Sequence, residues 1–280
     1  MNRALVAALS AVGLLAAGCT NDFSPQGDLL GLRVLALVAK PLEMAPDESV
    51  TIRPTVYVPP GSALVAQRWT FCPLSAGAVA AYACAVPQCE VELTPASDGS
   101  VTANPSAIIR QCLGFVPGPI PPSVPDQLLT VFRYRVATDA GESRDAVLQL
   151  PQWTRKPPPD PNLPPVIQGV QIGGVPAVVG RPTPPLPTNG VLPIRLLIDP
   201  ASVQTFVDAA GVTQTETMTG YFYTTGGTIP DGITTGTDTT TNLEGTGFLP
   251  GQTSAQVWVV ALDLRGGQAV AGPFTVPFGP

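Results

Sequence analysis

From Arg33 to Gln152 the apolar positions fall in short runs cut by proline and glycine, and they do not recur at the spacing of a helix face. Residues 33–38, 49–58 and 64–71 are apolar or β-branched runs punctuated by Pro41, Pro46, Pro59-Pro60-Gly61 and Pro73, and each is predicted as a strand. Residues 128–138 and 146–150 flank the turn-forming Asp139-Ala140-Gly141, which is a hairpin pattern. The stretch between these groups is less regular, and the proline-rich residues 117–125 read as a long connecting loop.

The plan repeats in the second half. Residues 166–172, 191–198, 217–224 and 255–262 read as strands, and the last is followed by Asp263-Leu264-Arg265-Gly266-Gly267 and a further strand. Two strands that end in Ala-x-Asp before a glycine turn, at Ala137-Thr138-Asp139 and Ala261-Leu262-Asp263, suggest one unit used twice. Between the halves lies Arg155-Lys156-Pro157-Pro158-Pro159-Asp160-Pro161-Asn162-Leu163-Pro164-Pro165. Lacking amide protons and with φ fixed at each proline, such a run cannot be helix or central strand, and it is expected to be an extended spacer holding its neighbours apart. The thread from Thr213 to Thr246 is threonine-rich, which suits exposed strand faces and turns.

The N-terminus follows a different pattern. Asn2 and Arg3 precede an apolar run to Ala17, and Leu15-Ala16-Ala17-Gly18 leads directly to Cys19. A charged start, a short apolar middle and small residues before a cleavage point make a secretory signal, and the run is short for a membrane span. These residues resemble the lipobox of bacterial lipoproteins, with Ala16 where leucine is commoner. The resemblance implies cleavage before Cys19, acylation of its sulfur and amine, and, with Thr20 and not aspartate next, export to the outer membrane. One acyl chain binds reversibly at ~0.8 kcal/mol per buried methylene, so two or three chains suffice without a basic patch. The division expected is therefore signal peptide 1–18, lipidated flexible tether 19–31, first sandwich 32–153, proline-rich linker 154–165 and second sandwich 166–280.

Removal of residues 1–18 takes away Arg3 and no acid, so the formal charge moves from −6 to about −7. With arginines scattered among the strands and no cationic run longer than Arg155-Lys156, a nucleic-acid partner is not expected. The remaining cysteines, Cys72, Cys84, Cys89 and Cys112, lie in one segment of an exported chain. Two disulfides are expected, since there is no histidine and no pair of C-x-x-C knuckles for zinc. Three pairings are open, with Cys72–Cys84 and Cys89–Cys112 favoured, and each bridge would add ~2–4 kcal/mol.

The layout resembles tandem immunoglobulin-like domains of the cadherin or polycystic-kidney-disease type, as in bacterial surface lipoproteins of the myxobacterial kind. Pro164-Pro165-Val166-Ile167 resembles the lead-in to the first strand of such domains. Tyr221-Phe222-Tyr223-Thr224-Thr225-Gly226-Gly227 resembles their aromatic segment, and Val257-Trp258-Val259-Val260-Ala261-Leu262-Asp263 their penultimate strand. In the first half, Arg68-Trp69-Thr70-Phe71-Cys72 and residues 133–139 stand in the matching places. The resemblance implies an all-β chain of two sandwiches. Trp69 and either Tyr221 or Tyr223 are expected to fill the space between sheets, and Trp153 or Trp258 is weighed as an exposed sugar platform.

Without histidine, Ser-His-Asp and Cys-His chemistry are excluded. Asp199, Asp208, Glu216, Asp231, Asp238, Glu244 and Asp263 are the acids available for carboxylate hydrolysis, and they read as solvated turn residues. Asp199, Asp231 and Asp263 are weighed as a calcium set converging at one end, without a D-x-D-x-D-G series behind them. No catalytic, cofactor-binding or metal-ligating residue is assigned. The expectation is a non-catalytic spacer or adhesion module, moored to the outer membrane by Cys19, that meets a protein or polysaccharide through loop ends or a free strand edge. An enzyme accessory is the competing class.

Overall fold

The computed structural model describes residues 26–112, 114, 124–208, 210–248, 250–263 and 265–279. The predicted signal peptide, Cys19 and most of the loop predicted over 117–125 lie outside them. The described residues are all-β, with 49% strand and 7% helix.

The first sandwich uses β1 (Arg33–Lys40), β2 (Val50–Tyr57), β3 (Leu64–Cys72), β4 (Val91–Leu93), β5 (Val101–Ala103), β6 (Gln127–Thr138) and β7 (Ser143–Trp153). A three-stranded sheet β1-β2-β5 faces a four-stranded sheet β4-β3-β6-β7. Alternation sends Trp69, Phe71, Phe132, Tyr134 and Val136 into the space between them, against Leu37, Val50, Ile52 and Val101. Trp69 fills the centre as expected, fully buried with its ring 4.6 Å from that of Tyr134. The helix α1 (Pro105–Cys112) crosses from this sandwich's fifth strand, opened by the Asn104 side chain, which accepts from the Ala107 amide at 3.0 Å.

The second sandwich repeats the order with β8 (Ile167–Ile172), β9 (Val175–Pro176), β10 (Val191–Ile198), β13 (Thr219–Thr224), β14 (Ile233–Thr235), β15 (Asp238–Glu244), β16 (Ser254–Leu262) and β17 (Gln268–Pro277). The short pair β11 (Thr205–Val207) and β12 (Thr213–Thr215) forms a separate hairpin. Sheets β15-β10-β8-β9 and β14-β13-β16-β17 enclose the second core. In both sandwiches the first strand leaves its own sheet near prolines and rejoins the last strand of the other in parallel, at Met44 with Gln152 and at Pro182 and Leu186 with Thr275 and Phe278. That crossover covers part of each final strand and blunts it as a pairing edge.

The two sandwiches are stacked, not held apart. The outer face of β1-β2-β5 lies on the outer face of β14-β13-β16-β17, burying Leu35, Ala36 and Tyr57 against Tyr223, Trp258 and Val260 in a third apolar layer. A bulge in β1, where the pairing skips from Val34 to Ala36, turns both Leu35 and Ala36 toward this layer while Leu37 still faces the first core. The proline-rich segment is thus no spacer. Two sheet faces that are apolar on the outside gain more by covering each other, at about 25 cal/mol per Å² of apolar surface, than by staying in water.

The expected tether also ends early. From Gln26 the chain is laid along the second sandwich: the Thr224 amide donates to Gly27 O and the Leu29 amide to Thr224 O, both at 2.8 Å. A Cβ at Gly27 would stand 2.8 Å from the Phe222 carbonyl, so only glycine permits this approach. Leu29 and Leu32 are buried, and the Leu32 amide donates to Glu142 Oε2 at 2.8 Å.

Candidate interaction surface

The free face of the first sandwich is the outer side of β4-β3-β6-β7. Because Trp69, Phe71, Phe132 and Tyr134 point inward, their neighbours Arg68, Thr70, Arg133 and Arg135 point outward. Arg68 stands directly opposite Arg135 across the ladder, and Arg133 opposite Thr70. Like charges in register repel. Carboxylates flank them: Glu92 takes Arg68 at 2.9 Å, while Glu90 lies 3.7 Å from Arg133 and Asp145 3.9 Å from Arg135. The last two distances exceed hydrogen-bond reach, and the Arg135 side chain is 62% exposed.

A loop roofs this face. From Pro73 to Cys89 it contains no charged residue. Disulfides join Cys72 with Cys84 and Cys89 with Cys112, with Cα separations of 5.6 and 5.2 Å. Within the first bridge the chain forms a small finger, the Ala76 amide donating to Ala83 O and the Ala85 amide to Leu74 O, both at 2.8 Å. In its turn, beyond the Ala76–Ala83 rung, Ala81 and Tyr82 adopt left-handed backbone, φ +49° and +57°, without the freedom of glycine. Arg133 Nη2 donates to their carbonyls at 3.3 and 2.8 Å and so ties the finger to the sheet. Val79 at the tip is fully exposed. Sheet and finger enclose a cleft of about 1020 Å³ with Tyr82 on its wall. The sequence shows these arginines as scattered. What could have gathered them is the i, i+2 spacing of Arg133 and Arg135 together with the register that sets Arg68 beside them.

The acids considered for chemistry do not converge. Asp199 and Asp208 serve turns, Asp199 accepting from the Ala201 amide at 3.0 Å and Asp208 from the Val212 amide at 2.9 Å. That backbone bond holds the Asp208 carboxyl below the ordinary carboxylate range. Arg195, bound to Asp238 at 2.7 and 2.5 Å, lowers that carboxyl likewise. Glu244 lies at the end of β15, bridged to Thr228. Asp231, whose carbonyl accepts from Thr241, belongs to the Phe222–Thr224 end of β13, whereas Asp263 follows the Leu262 end of β16, opposite Thr219. The calcium trio is therefore split between two ends. Two acids are also not solvated: Asp263 is 1% exposed, with Oδ1 accepting the amides of Arg265 and Gly267, and the Glu216 side chain is fully buried against Arg265.

The aromatic expectations change as well. Phe222, not Tyr221 or Tyr223, fills the second core, because the two tyrosines sit on the opposite face of β13 and enter the layer between sandwiches. Trp258 is no sugar platform, being 9% exposed with its ring edge-on to Tyr57 at 5.7 Å. Trp153 is half-buried, its Nε1 donating to Glu43 at 3.2 Å. Threonines of the thread divide between faces, with Thr239 and Thr241 buried and Thr240 exposed.

No protein-family model matches the chain, and no curated protein sequence matches it. Solved structures resemble it at low scores. The fibronectin(III)-like modules of Clostridium thermocellum CbhA share 9% identity at a TM-score of 0.25, covering 88% of this chain and 92% of theirs. Murine CEACAM1b shares 10% at 0.24, covering 87% and 98%. The Yersinia pseudotuberculosis adhesin InvE shares 12% at 0.23, covering 88% and 58%. The immunoglobulin-like assignment rests on strand order and register, which both halves share.

Proposed function

We propose that this chain is a lipid-anchored, non-catalytic binding module of the outer membrane that meets a protein partner through the cleft on its first sandwich. The observation that carries this reading is the disulfide-stapled, uncharged finger held over a face of arginines and carboxylates. A rigid apolar tip beside a charged floor offers what protein contacts use, an anchor side chain with a polar surround. Tyr82, fixed in a backbone form that few residues adopt, is the residue with most to lose from truncation. A polysaccharide partner has less behind it, since Trp258 is turned inward.

Anchoring and contact are tested separately. Labelled palmitate is expected on the wild-type chain and absent from Cys19→Ser, which leaves the membrane fraction. Tyr82→Ala and Arg135→Glu are expected to reduce retention of the soluble Cys19→Ser chain on envelopes at least tenfold with melting temperatures unchanged. Retention equal to wild type in both variants would move the contact elsewhere on the molecule.

A further inference from the structure

A strand at the border of a sheet presents unpaired amides and carbonyls, and proteins blunt such borders. Among the described residues this chain blunts all but one. Strands β4, β5, β11, β12 and β14 are three residues long and β9 two. β1 is bulged, and its Leu37 amide is taken by the Gln268 side chain at 2.9 Å. β7 and β17 contain Pro151 and Pro273 and are partly covered by the crossovers at Met44 and at Pro182 and Leu186. β15 has none of these devices. Its 7 residues pair with β10 without a register shift and include no proline, lysine or arginine.

Bond alternation shows which groups β15 leaves open. The Ile198 amide donates to Thr237 O at 2.7 Å toward β10, whereas Glu244 exchanges both backbone bonds with Thr228 on the far side. Every second residue faces as Glu244 does. The backbone groups of Asp238, Thr240 and Asn242 thus point away from β10, and no described residue pairs with them. All three residues are exposed. Glu244 closes the open stretch at one end, and at the other the Gly236 amide is spent on Met218 O at 2.9 Å. The stretch is centred on Thr240 and is its own complement.

We propose that a second copy of this chain adds to β15 antiparallel, about a two-fold axis at Thr240, so that one sheet runs through both copies. Thr240 then meets the partner's Thr240, Asp238 the partner's Asn242, and Thr239 the partner's Thr241. Asp238, whose charge is held by Arg195, meets an amide and no like charge. A slip of one pair toward Glu244 would demand the bonds spent on Thr228 and set Glu244 opposite the partner's Asp238. A slip the other way would demand the amide of Gly236. The contact is a single strand wide, below the ~1,000 Å² of a lasting interface, so the pair forms at high protein concentration and parts on dilution. The edge belongs to the second sandwich, and pairing there is independent of the cleft on the first.

The test is disulfide trapping in the Cys19→Ser full-length chain, whose other cysteines are paired. Opposed residues of a hydrogen-bonded pair stand ~5.5 Å apart at Cα, within disulfide reach. At submillimolar concentration under mild oxidation, Thr240→Cys is expected to give at least tenfold more covalent dimer than Val191→Cys, an exposed control on the outer face of β10. Asp238→Cys and Asn242→Cys are expected to give little dimer alone and at least tenfold more when mixed, which fixes the register. Adding Thr240→Lys to both chains of that mixture sets two cations on the axis and is expected to remove the increase. Equal dimer from Thr240→Cys and Val191→Cys, no increase on mixing, or an increase untouched by Thr240→Lys would overturn the proposal.

Discussion

Glu216 Oε1 lies 2.7 Å from Arg265 Nη1 and Oε2 accepts the Gln204 amide, so a carboxylate with no exposed side-chain surface has both oxygens engaged. Arg265 also reaches Glu43 at 3.2 Å and covers the Phe206 ring at 4.4 Å. Removing the cation leaves a buried acid uncompensated. Arg265→Met is therefore expected to destabilise the fold by about 3–5 kcal/mol, read from urea unfolding. Asp28 behaves in the opposite sense. Burial holds its carboxyl above the ordinary value of 3.8, and Oδ1 has no partner. The folded state thus binds this proton more tightly than the unfolded chain, so Asp28 favours folding in acid and the benefit is lost as pH rises through the raised value. Asp28→Asn is expected to raise the melting temperature at pH 7 and to change little near pH 3. Neither site is legible in the sequence: Arg265 reads as one residue of a glycine turn, and nothing local joins it to Glu43, 222 positions away.

Strand patterns tell more than single residues do. The alternation of β3 and β6 gives the inward aromatics directly, and the matching hairpins at Asp139 and Asp263 are the last two strands of each sandwich. The unbroken run Val257-Trp258-Val259-Val260-Ala261 carries a second message: a strand without polar alternation is covered on both faces. Val257, Val259 and Ala261 enter the second core, and Trp258 and Val260 the layer between sandwiches. Which strand would cover that outer face is not readable, because the bulge in β1 doubles its outward apolar residues without altering its composition. A double-mutant cycle on Tyr57→Ala and Trp258→Ala is expected to give a coupling of roughly 0.5–1.5 kcal/mol. Additivity would mean that the rings do not meet in solution. The disulfide finger is beyond sequence reading for another reason: the cysteines fix a framework, whereas the left-handed turn at Ala81 and Tyr82, closed locally by the Tyr82 amide on Gly77 O, is tied to the sheet by the distant Arg133.

At the scale of the whole molecule, the four sandwich sheets of the described residues and the three apolar layers between them make one body, with the β11-β12 hairpin beside them. Its radius of gyration is expected near 18 Å by the scaling of compact chains, against a clearly larger value for sandwiches strung end to end, and small-angle scattering decides between them. Heating is expected to give a single transition, since melting either half uncovers the layer it shares with the other. The pairing of Gly27 and Leu29 with Thr224 has a mechanical consequence. A pull on the N-terminal end enters the C-terminal sandwich through that short parallel seam before any of it reaches Pro157. Tension is then borne by the hydrogen-bonded stitch at Thr224, and the prolines stay slack until the stitch tears.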